Sequence, residues 1–596
     1  MSASTQDQLL VDLLCVPERG DDTVKPLRER VKPHIVAGVV AFLDCGHICE
    51  TLGLWRAEDH PDRAPRTGRP LTLTDRQILV ALLVLGLLGE PPSLKRISEL
   101  LQHRLHTESR DLLGLPRAER VSGHAHYHRV ARAYSRLCVL FDPKPYPTHR
   151  RLTRAAVQAI TEAFDPAVVA CKQQRADWLA NKLLDLTVQL TPRELLGTWT
   201  GDITLDGTKL PVWGKRGHPG TNSAKPDDLM SPEVTAGLHA KTQDNRDKAN
   251  AVGQTNTTTE YTFAYEAHLA LMTSTTRTPV PSLIIAMSLD RPGVNPGRNA
   301  IVALDSIAQR GYPTGDLVTD LGYSQQKVEN YHNRARALGY EPIMMYKRKE
   351  LGVQGTYEGI LLIEGTLYGP CIPQPLIDAS IDYANKVIDH DTYTARLEQR
   401  RAYAARRKEH TPGKATYVVS CPAYGPNATA SCPLKPPKHN GAAPGHRKAL
   451  TLIVNPPQHP PKICTNTTSV SVPDSFGAKF RQRLPYQTPE WRTAYPPPRN
   501  EMEGKNQYIK DALHEDIGNA GIRRYRGYGK QLLAVAMLLA ASNIRALRTY
   551  ISKTDANTDS PPPKPKRGRP KKPGLAGYRP DPTGPPLRIV AQPKAA

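Results

Sequence analysis

This sequence predicts a mixed α/β protein with a helical N-terminal third, and three observations carry the prediction. From Val24 to Leu195 apolar residues recur at helical spacing, as in Ile78-Leu-Val-Ala-Leu-Leu-Val-Leu-Gly-Leu-Leu. From Thr198 short strand-like runs alternate with helical ones. Between residues 352 and 490 β-like runs lie among prolines too dense for long helices.

In the N-terminal region the helix at Ile78–Leu88 and the next, Leu94-Lys-Arg-Ile-Ser-Glu-Leu-Leu, flank Gly89-Glu-Pro-Pro-Ser. Two helices around a short turn have the outline of a helix-turn-helix and equally of an ordinary helical hairpin. His124, His126 and His128 alternate, but without carboxylate or Cys neighbours at ligand spacing they read as a polar segment.

The mixed region opens with Asp202-Ile-Thr-Leu-Asp206-Gly-Thr-Lys-Leu, a strand carrying a carboxylate. Desolvating an unpaired charge costs several kcal/mol, so such an Asp serves a cation, a hydrogen-bond network or a reaction. A polar insertion (215–260) follows, then strands at 261–271 and 282–289, a helix at Asn299–Gln309 and the strand Gly315-Asp-Leu-Val-Thr-Asp320. A helix at Gln325–Leu338 and a strand at Pro342–Tyr346 complete the series. Three strands, helix, strand, helix, strand is the order of a ribonuclease-H-like mixed sheet with flanking helices.

In the β-rich insertion, strand-like runs stand at 359–363, 416–420 and 449–454, and a basic helix at Tyr393–His410 carries Arg396, Arg400, Arg401, Arg406, Arg407 and Lys408. That helix suits phosphates or is simply solvated. Cys421 and Cys432, with His439, His446 and Cys464 beyond them, are candidate zinc ligands, but the ten-residue gap lacks the short CxxC knuckle and loop thiols are the preferred reading. Helices return at Arg499–Asp516 and Tyr528–Tyr550, joined by Gly521-Ile-Arg-Arg-Tyr-Arg-Gly, in which Arg523, Arg524 and Arg526 suit backbone phosphates. The Pro-, Lys- and Gly-rich tail is expected to be disordered.

The balance of 80 Lys and Arg against 57 Asp and Glu, a formal net charge of +23 over 596 residues, makes nucleic acid the first partner to consider. The longest apolar runs, Ile78–Leu88 and Leu532–Ala541, fall short of the roughly 20 residues of a membrane span, and the N-terminus lacks a secretory pattern, so a cytoplasmic protein is expected. Nine dispersed cysteines fit reduced thiols.

Arg499, Glu503 and Lys510 fall within about 40° of one another on a helical face, placing a carboxylate between two cations. On the same wheel Glu501 and Glu515 stand about 200° and 160° from Arg499, which selects Glu503 as the acid that faces the sheet. Arg, three residues, Glu, six residues, Lys resembles the helix motif of the DDE transposases of bacterial insertion sequences, in the hairpin-forming branch named for its Tyr, Arg, Glu and Lys. The strand with Asp206, the strand ending in Asp320 before Leu-Gly-Tyr, and the Glu503 helix follow that family's order. The β-rich insertion between the fifth strand and the Glu helix is also a feature of that branch. One position departs: the family's Tyr falls at Pro496, next to Tyr495.

The resemblance covers roughly Thr198 to Tyr550. It implies metal-dependent cleavage and strand transfer of DNA, with Asp206, Asp320 and Glu503 as catalytic ligands of Mg²⁺ (or Mn²⁺), and Arg499 and Lys510 on the phosphates. Lys209, Lys215 and Arg216 are further phosphate candidates. The implied partners are double-stranded DNA (terminal inverted repeats and target) and a second copy in a synaptic homodimer, in a bacterial, nucleoid-associated setting. A catalytically silent DNA-binding descendant and a metal-dependent nuclease without strand transfer are the alternatives. In the tail, Arg567-Gly-Arg569-Pro resembles an AT-hook, in which Arg567 and Arg569 enter a narrow minor groove. The expected division is a helical DNA-binding region (1–197), catalytic core (198–351), insertion (352–490), core helices with the Glu motif (491–552) and basic tail (553–596).

Overall fold

The computed structural model of the chain describes residues 29–61, 71–117, 121–214, 225–244, 257–407, 416–425, 427–435, 450–465 and 469–558. A six-stranded sheet is built from β1 (Ile203–Pro211), β2 (Gly237–Asp244), β3 (Thr257–Met272), β4 (Ile284–Asp290), β5 (Asp316–Thr319) and β6 (Glu341–Met344). Long β3 pairs antiparallel with β1 on one edge; on the other it takes β2 along Thr257–Ala264 and β4 along Glu266–Leu271. β1 runs parallel to β5, and β5 parallel to β6.

Four strands thus precede the first helix of this region, not three. The additional one, β2, lies in the stretch read as a polar insertion. Its sequence, Gly-Leu-His-Ala-Lys-Thr-Gln-Asp, has little apolar alternation, and its order comes from pairing with the extended half of β3.

β4 is buried along Ile284–Leu289, so both its faces are covered, and helices Pro166–Gln189 and Pro296–Gln309 pack against it. Two asparagines satisfy backbone groups that β3 does not. Asn181 accepts from the Met287 N–H (2.8 Å) and donates to its C=O (3.0 Å), and Asn543 does the same at Ile284 (2.9 and 2.7 Å). Strand pairing beyond β4 is thereby blocked.

The N-terminal helices are integral to this core. Helix Asp75–Leu87, started by a Thr74/Gln77 capping box, is buried at every position except Arg76. It packs on the C-terminal helix Tyr528–Thr558: a Cβ on Gly86 would stand 3.1 Å from Ala541 Cβ, and Arg545 donates to the Gly86 C=O at 2.8 Å. The hairpin's first helix is therefore interior apart from Arg76, and its second, Leu94–Glu99, carries surface cations such as Lys95. Of the three histidines, His126 is buried and bonded to Ser98 (2.8 Å), whereas His124 and His128 meet on the outer face at 3.2 Å. By length and composition Tyr528–Thr554 has the dimensions of a membrane span, which the shorter uninterrupted run did not suggest, but 78% of its apolar window is buried in the protein. Of the described residues, those up to Arg548 belong to one compact unit, and Thr549–Thr558 fall outside it.

Within the insertion β7 (Val353–Tyr357), β8 (Ile360–Ile363) and β9 (Thr366–Tyr368) form one antiparallel sheet. β10 (Arg406–Arg407), β11 (Thr416–Ser420) and β14 (Val470–Pro473) form another, and β12 (Ala430–Ser431) pairs with β13 (Thr451–Leu452). They enclose a core that includes Ile363, Tyr368, Val419 and Val472. The basic helix expected at Tyr393–His410 runs only from His390 to Arg400, and Arg406 and Arg407 are strand residues. Arg400 is buried, paired with Glu364 at 2.6 Å and donating to the Leu376 and Ile377 carbonyls, while Arg396 pairs with Asp382. These arginines hold the insertion together rather than forming a phosphate track. Lys408 lies outside the described residues.

Candidate active site

The parallel pairing of β1 with β5 matches Leu205 to Thr319, and the residues that follow are Asp206 and Asp320. Two acids thus stand side by side at the carboxyl end of the parallel pair, where open α/β sheets present their ligand sites. Asp320 keeps an extended backbone and caps the short helix Leu321–Ser324: its Oδ1 accepts from the Gly322 N–H (2.9 Å) and the Tyr323 N–H (3.3 Å). Tyr323 is buried and bonded to His268 (2.7 Å) on β3, which pins this turn to the sheet.

The third acid arrives on helix Pro496–Lys510. This helix starts three residues earlier than the expected Arg499, on Pro496-Pro-Pro, since prolines in a first turn lack only N–H groups that have no helical partner. It stops at Lys510 rather than Asp516, because Asp511 is extended (ψ 138°). Met502 and Ile509 are fully buried on one side. On another, Arg499 and Asn506 reach Asp206: Asn506 Nδ2 donates to Asp206 Oδ2 at 2.9 Å, and Arg499 Nη1 lies 3.6 Å from Asp206 Oδ1. Arg499 Nη2 is 3.6 Å from Glu503 Oε1, so the guanidinium joins the two carboxylates. Asn506 was not among the expected residues, although seven positions from Arg499 returns to within about 20° on a helix and so places it on the same stripe.

Burial raises the Asp206 carboxyl above the usual aspartate range; Arg499 opposes that shift, and Asp320 and then Glu503 add to it. Three acids from three distant segments therefore share one electrostatic site. Among the described residues, no three His, Cys, Asp or Glu side chains are gathered in a metal-ligating arrangement. Here the reason is visible: Arg499 stands between Asp206 and Glu503, and the Glu503 side chain is 66% exposed.

Several expected roles are corrected. Glu501 does face away from Asp206, but toward Thr273 (3.1 Å) and Ser282 rather than solvent. Glu515 is not on the helix at all; it is buried and paired with Arg545. Arg523 is fully buried, donating to Gln531 Oε1 (2.6 Å) and the Ile517 C=O (2.6 Å), with burial lowering its pKa to about 10. It makes no surface for phosphate. Arg526 donates to the Thr148 C=O (3.1 Å), leaving Arg524, exposed and over the Trp213 ring at 4.6 Å, as the outward-facing arginine of the three. Lys209 pairs with its cross-strand neighbour Glu266. Tyr495 is buried, stacked on Trp491 and donating to the Thr319 C=O at 3.1 Å, so it fastens the helix start to β5.

Lys510 is partly buried at the helix C-terminus. Cys421 and Cys432 are buried in the insertion's own core. Lys215, Arg216, Arg567, Arg569, His439 and His446 lie outside the described residues. No protein-family model matches the chain, and no curated protein or solved structure matches it either.

Proposed function

We propose that the protein is a transposase of the DDE type, cutting and joining DNA at a site made of Asp206, Asp320 and Glu503. The observation that carries the reading is the meeting of these acids, two at the ends of adjacent parallel strands and one on a helix linked to Asp206 through Arg499. The sheet supports it: β4, β3, β1, β5 and β6 follow the strand order and directions of a ribonuclease-H-like core, with β2 as an addition. A formal net charge of +23 suits a polyanionic substrate.

The donor set fits Mg²⁺ or Mn²⁺: all-oxygen, anionic, and with Asp206 raised by burial and by neighbouring acids whose repulsion a hard cation relieves. Bound there, divalent ions supply Lewis acidity and a lowered pKa for water. The chain's own groups do the rest. Arg499 is held between carboxylates and becomes available to a phosphate when they are otherwise neutralised; its planar fork suits that contact. Asn506 fixes Asp206 Oδ2, and the Asp320 cap fixes the second acid against the sheet. Lys510 and the outward Arg524 extend the phosphate surface, and Arg567 and Arg569 add the tail's minor-groove contact.

The test uses full-length protein and duplexes carrying the DNA that borders its gene. Mg²⁺-dependent cleavage that is lost in Asp206→Asn with binding retained is the expected result. Joining of pre-cut 3′-hydroxyl ends to a plasmid separates a transposase from a plain nuclease. Cleavage that survives Asp206→Asn would remove the site and the reading together.

A further inference from the structure

The insertion's core encloses a cavity of about 10 Å³, room for one water-sized body, and four of its lining residues are Cys371, Cys421, Cys432 and Cys464. They come from four places: the loop after β9, the end of β11, the end of β12, and the short helix Lys462–Thr465. Cys371 precedes Cys421 by 50 positions and Cys464 follows Cys432 by 32, so sequence spacing alone could not have grouped them. All four are near enough to influence one another in every pairing, and the Cys371 and Cys464 thiols share a hydrogen bond.

Cys421 and Cys432 are each followed by Pro and sit at the start of a tight turn, closed by Tyr424 N–H to the Cys421 C=O (3.1 Å) and Lys435 N–H to the Cys432 C=O (3.0 Å). Each turn aims amides at its sulfur: Ala423 N–H at Cys421, and Leu434 and Lys435 N–H at Cys432. Burial raises the Cys421 and Cys432 thiols above the usual range, and these amides oppose that rise. Lys435, only 6% exposed, lines the same cavity and brings a positive charge to the four sulfurs.

From this geometry we infer that Cys371, Cys421, Cys432 and Cys464 form a structural zinc site. On binding one Zn²⁺ the four thiols give up four protons to solvent and their sulfurs donate to the ion, giving a tetrathiolate of net charge −2 that the buried Lys435 partly balances. Among the described residues no ligand set is already drawn together, so binding requires the four Sγ atoms to turn onto the cavity's centre about their Cα–Cβ bonds. A cavity this small takes one ion and not an iron–sulfur cluster. The site ties β9, β11 and β12 to the Lys462–Thr465 helix, which suits a core made of two- to five-residue strands.

The experiment is metal analysis of full-length protein purified in reducing buffer without chelator, followed by replacement of the metal with Co²⁺. One zinc per chain and the absorption of tetrahedral four-thiolate cobalt are expected. Cys371→Ser should lose the metal under dialysis that leaves the parent loaded, whereas His439→Ala and His446→Ala should keep the parent spectrum. Any of three results would overturn the site: no metal after reconstitution, a four-thiolate spectrum retained by Cys371→Ser, or a Cys371–Cys464 disulfide in the protein as purified. Should Cys371→Ser not fold, the thiolate count in the parent's cobalt spectrum decides, and fewer than four rejects it. None of these readouts depends on the DNA chemistry proposed above.

Discussion

Glu503 differs from Glu501 and Glu515 in what surrounds its carboxylate, and that difference sorts three substitutions. Glu503→Gln should leave binding to the bordering DNA intact and lower Mg²⁺-dependent cleavage by at least roughly a thousand-fold, measured as single-turnover rates. Glu501→Gln should cleave within about tenfold of the parent, since its oxygens serve Thr273 and Ser282, away from Asp206. Glu515→Gln should show its effect in stability, about 3 kcal/mol by denaturant titration, because it removes the buried carboxylate that pairs with Arg545 while the guanidinium keeps its bonds to the Gly86 and Leu87 carbonyls. Of these the helical wheel separates Glu503 from Glu501 around the helix, but it does not show that the Glu503 side chain is 66% exposed or that Glu501 bonds Thr273 and Ser282 beside β3 and β4. It misplaces Glu515 because nothing in Asp511-Ala-Leu-His-Glu announces that the helix has ended. The role of Arg499 as a link between acids is likewise a matter of distances that spacing cannot give. It has a measurable effect: ionic contact with Asp206 and Glu503 competes with a divalent ion, so duplex DNA that draws Arg499 away should tighten Mn²⁺ binding, and by reciprocity Mn²⁺ should tighten DNA binding. Equal Mn²⁺ affinity with and without DNA, read from the free-ion resonance signal, would contradict this. Protons compete as well. Because the Asp206 carboxyl is raised, its acid limb for metal binding should lie above that of an ordinary aspartate.

At the scale of elements, the helix carrying Glu503 is set by what precedes it. Trp491 and Tyr495 stack at 4.7 Å, Trp491 Nε1 donates to Gln482, and Tyr495 reaches β5 through the Thr319 C=O. Tyr495→Phe removes that last bond and should cost about 1 kcal/mol while slowing cleavage modestly, since the tether lies one residue from Asp320. Three consecutive prolines look like an ending when read along the chain, yet they begin this helix. A similar inversion affects Gly521–Gly527: three arginines in seven residues suggest a phosphate loop, but Arg523 is a buried strut to Gln531, Ile517 and Pro211. Arg523→Ala should therefore destabilise the protein by about 3 kcal/mol, and a normally stable variant with weakened DNA affinity would reverse that assignment. The main strands β1, β3, β4, β5 and β6 were legible because their apolar runs are bounded by turn residues; β2 and the short strands β7, β9 and β14 were not, since partners rather than composition hold them.

For the whole molecule, burial shows in the pH dependence of folding. Glu233 accepts from Tyr265 (2.7 Å) and from the Gly527 N–H (2.9 Å), and burial lifts its pKa from 4.5 to about 7. A raised acid means the native state holds a proton the unfolded chain has lost, so stability falls as pH rises from about 4.5 to about 7 and is level above that. Glu233→Gln should flatten this slope, by up to about 1.4 kcal/mol per pH unit. The tail gives a separate prediction: deletion of Pro561–Ala596 should weaken binding to A·T-rich duplexes more than to G·C-rich ones, and an equal loss on both would leave only a generic basic tail.

The last of the described helices, Tyr528–Thr558, bears on the order of events during synthesis. It supplies Asn543 to β4 and packs its Ala541 against Gly86 of the N-terminal core. A nascent chain that has emerged only as far as Lys510 already carries all three acids but still exposes the Ile284 backbone and the apolar face of Asp75–Leu87. The group of Asp206, Asp320 and Glu503 is thus complete along the chain before its frame is covered, and the proposed active site takes its final form only once Tyr528–Thr558 has docked on β4 and on Asp75–Leu87.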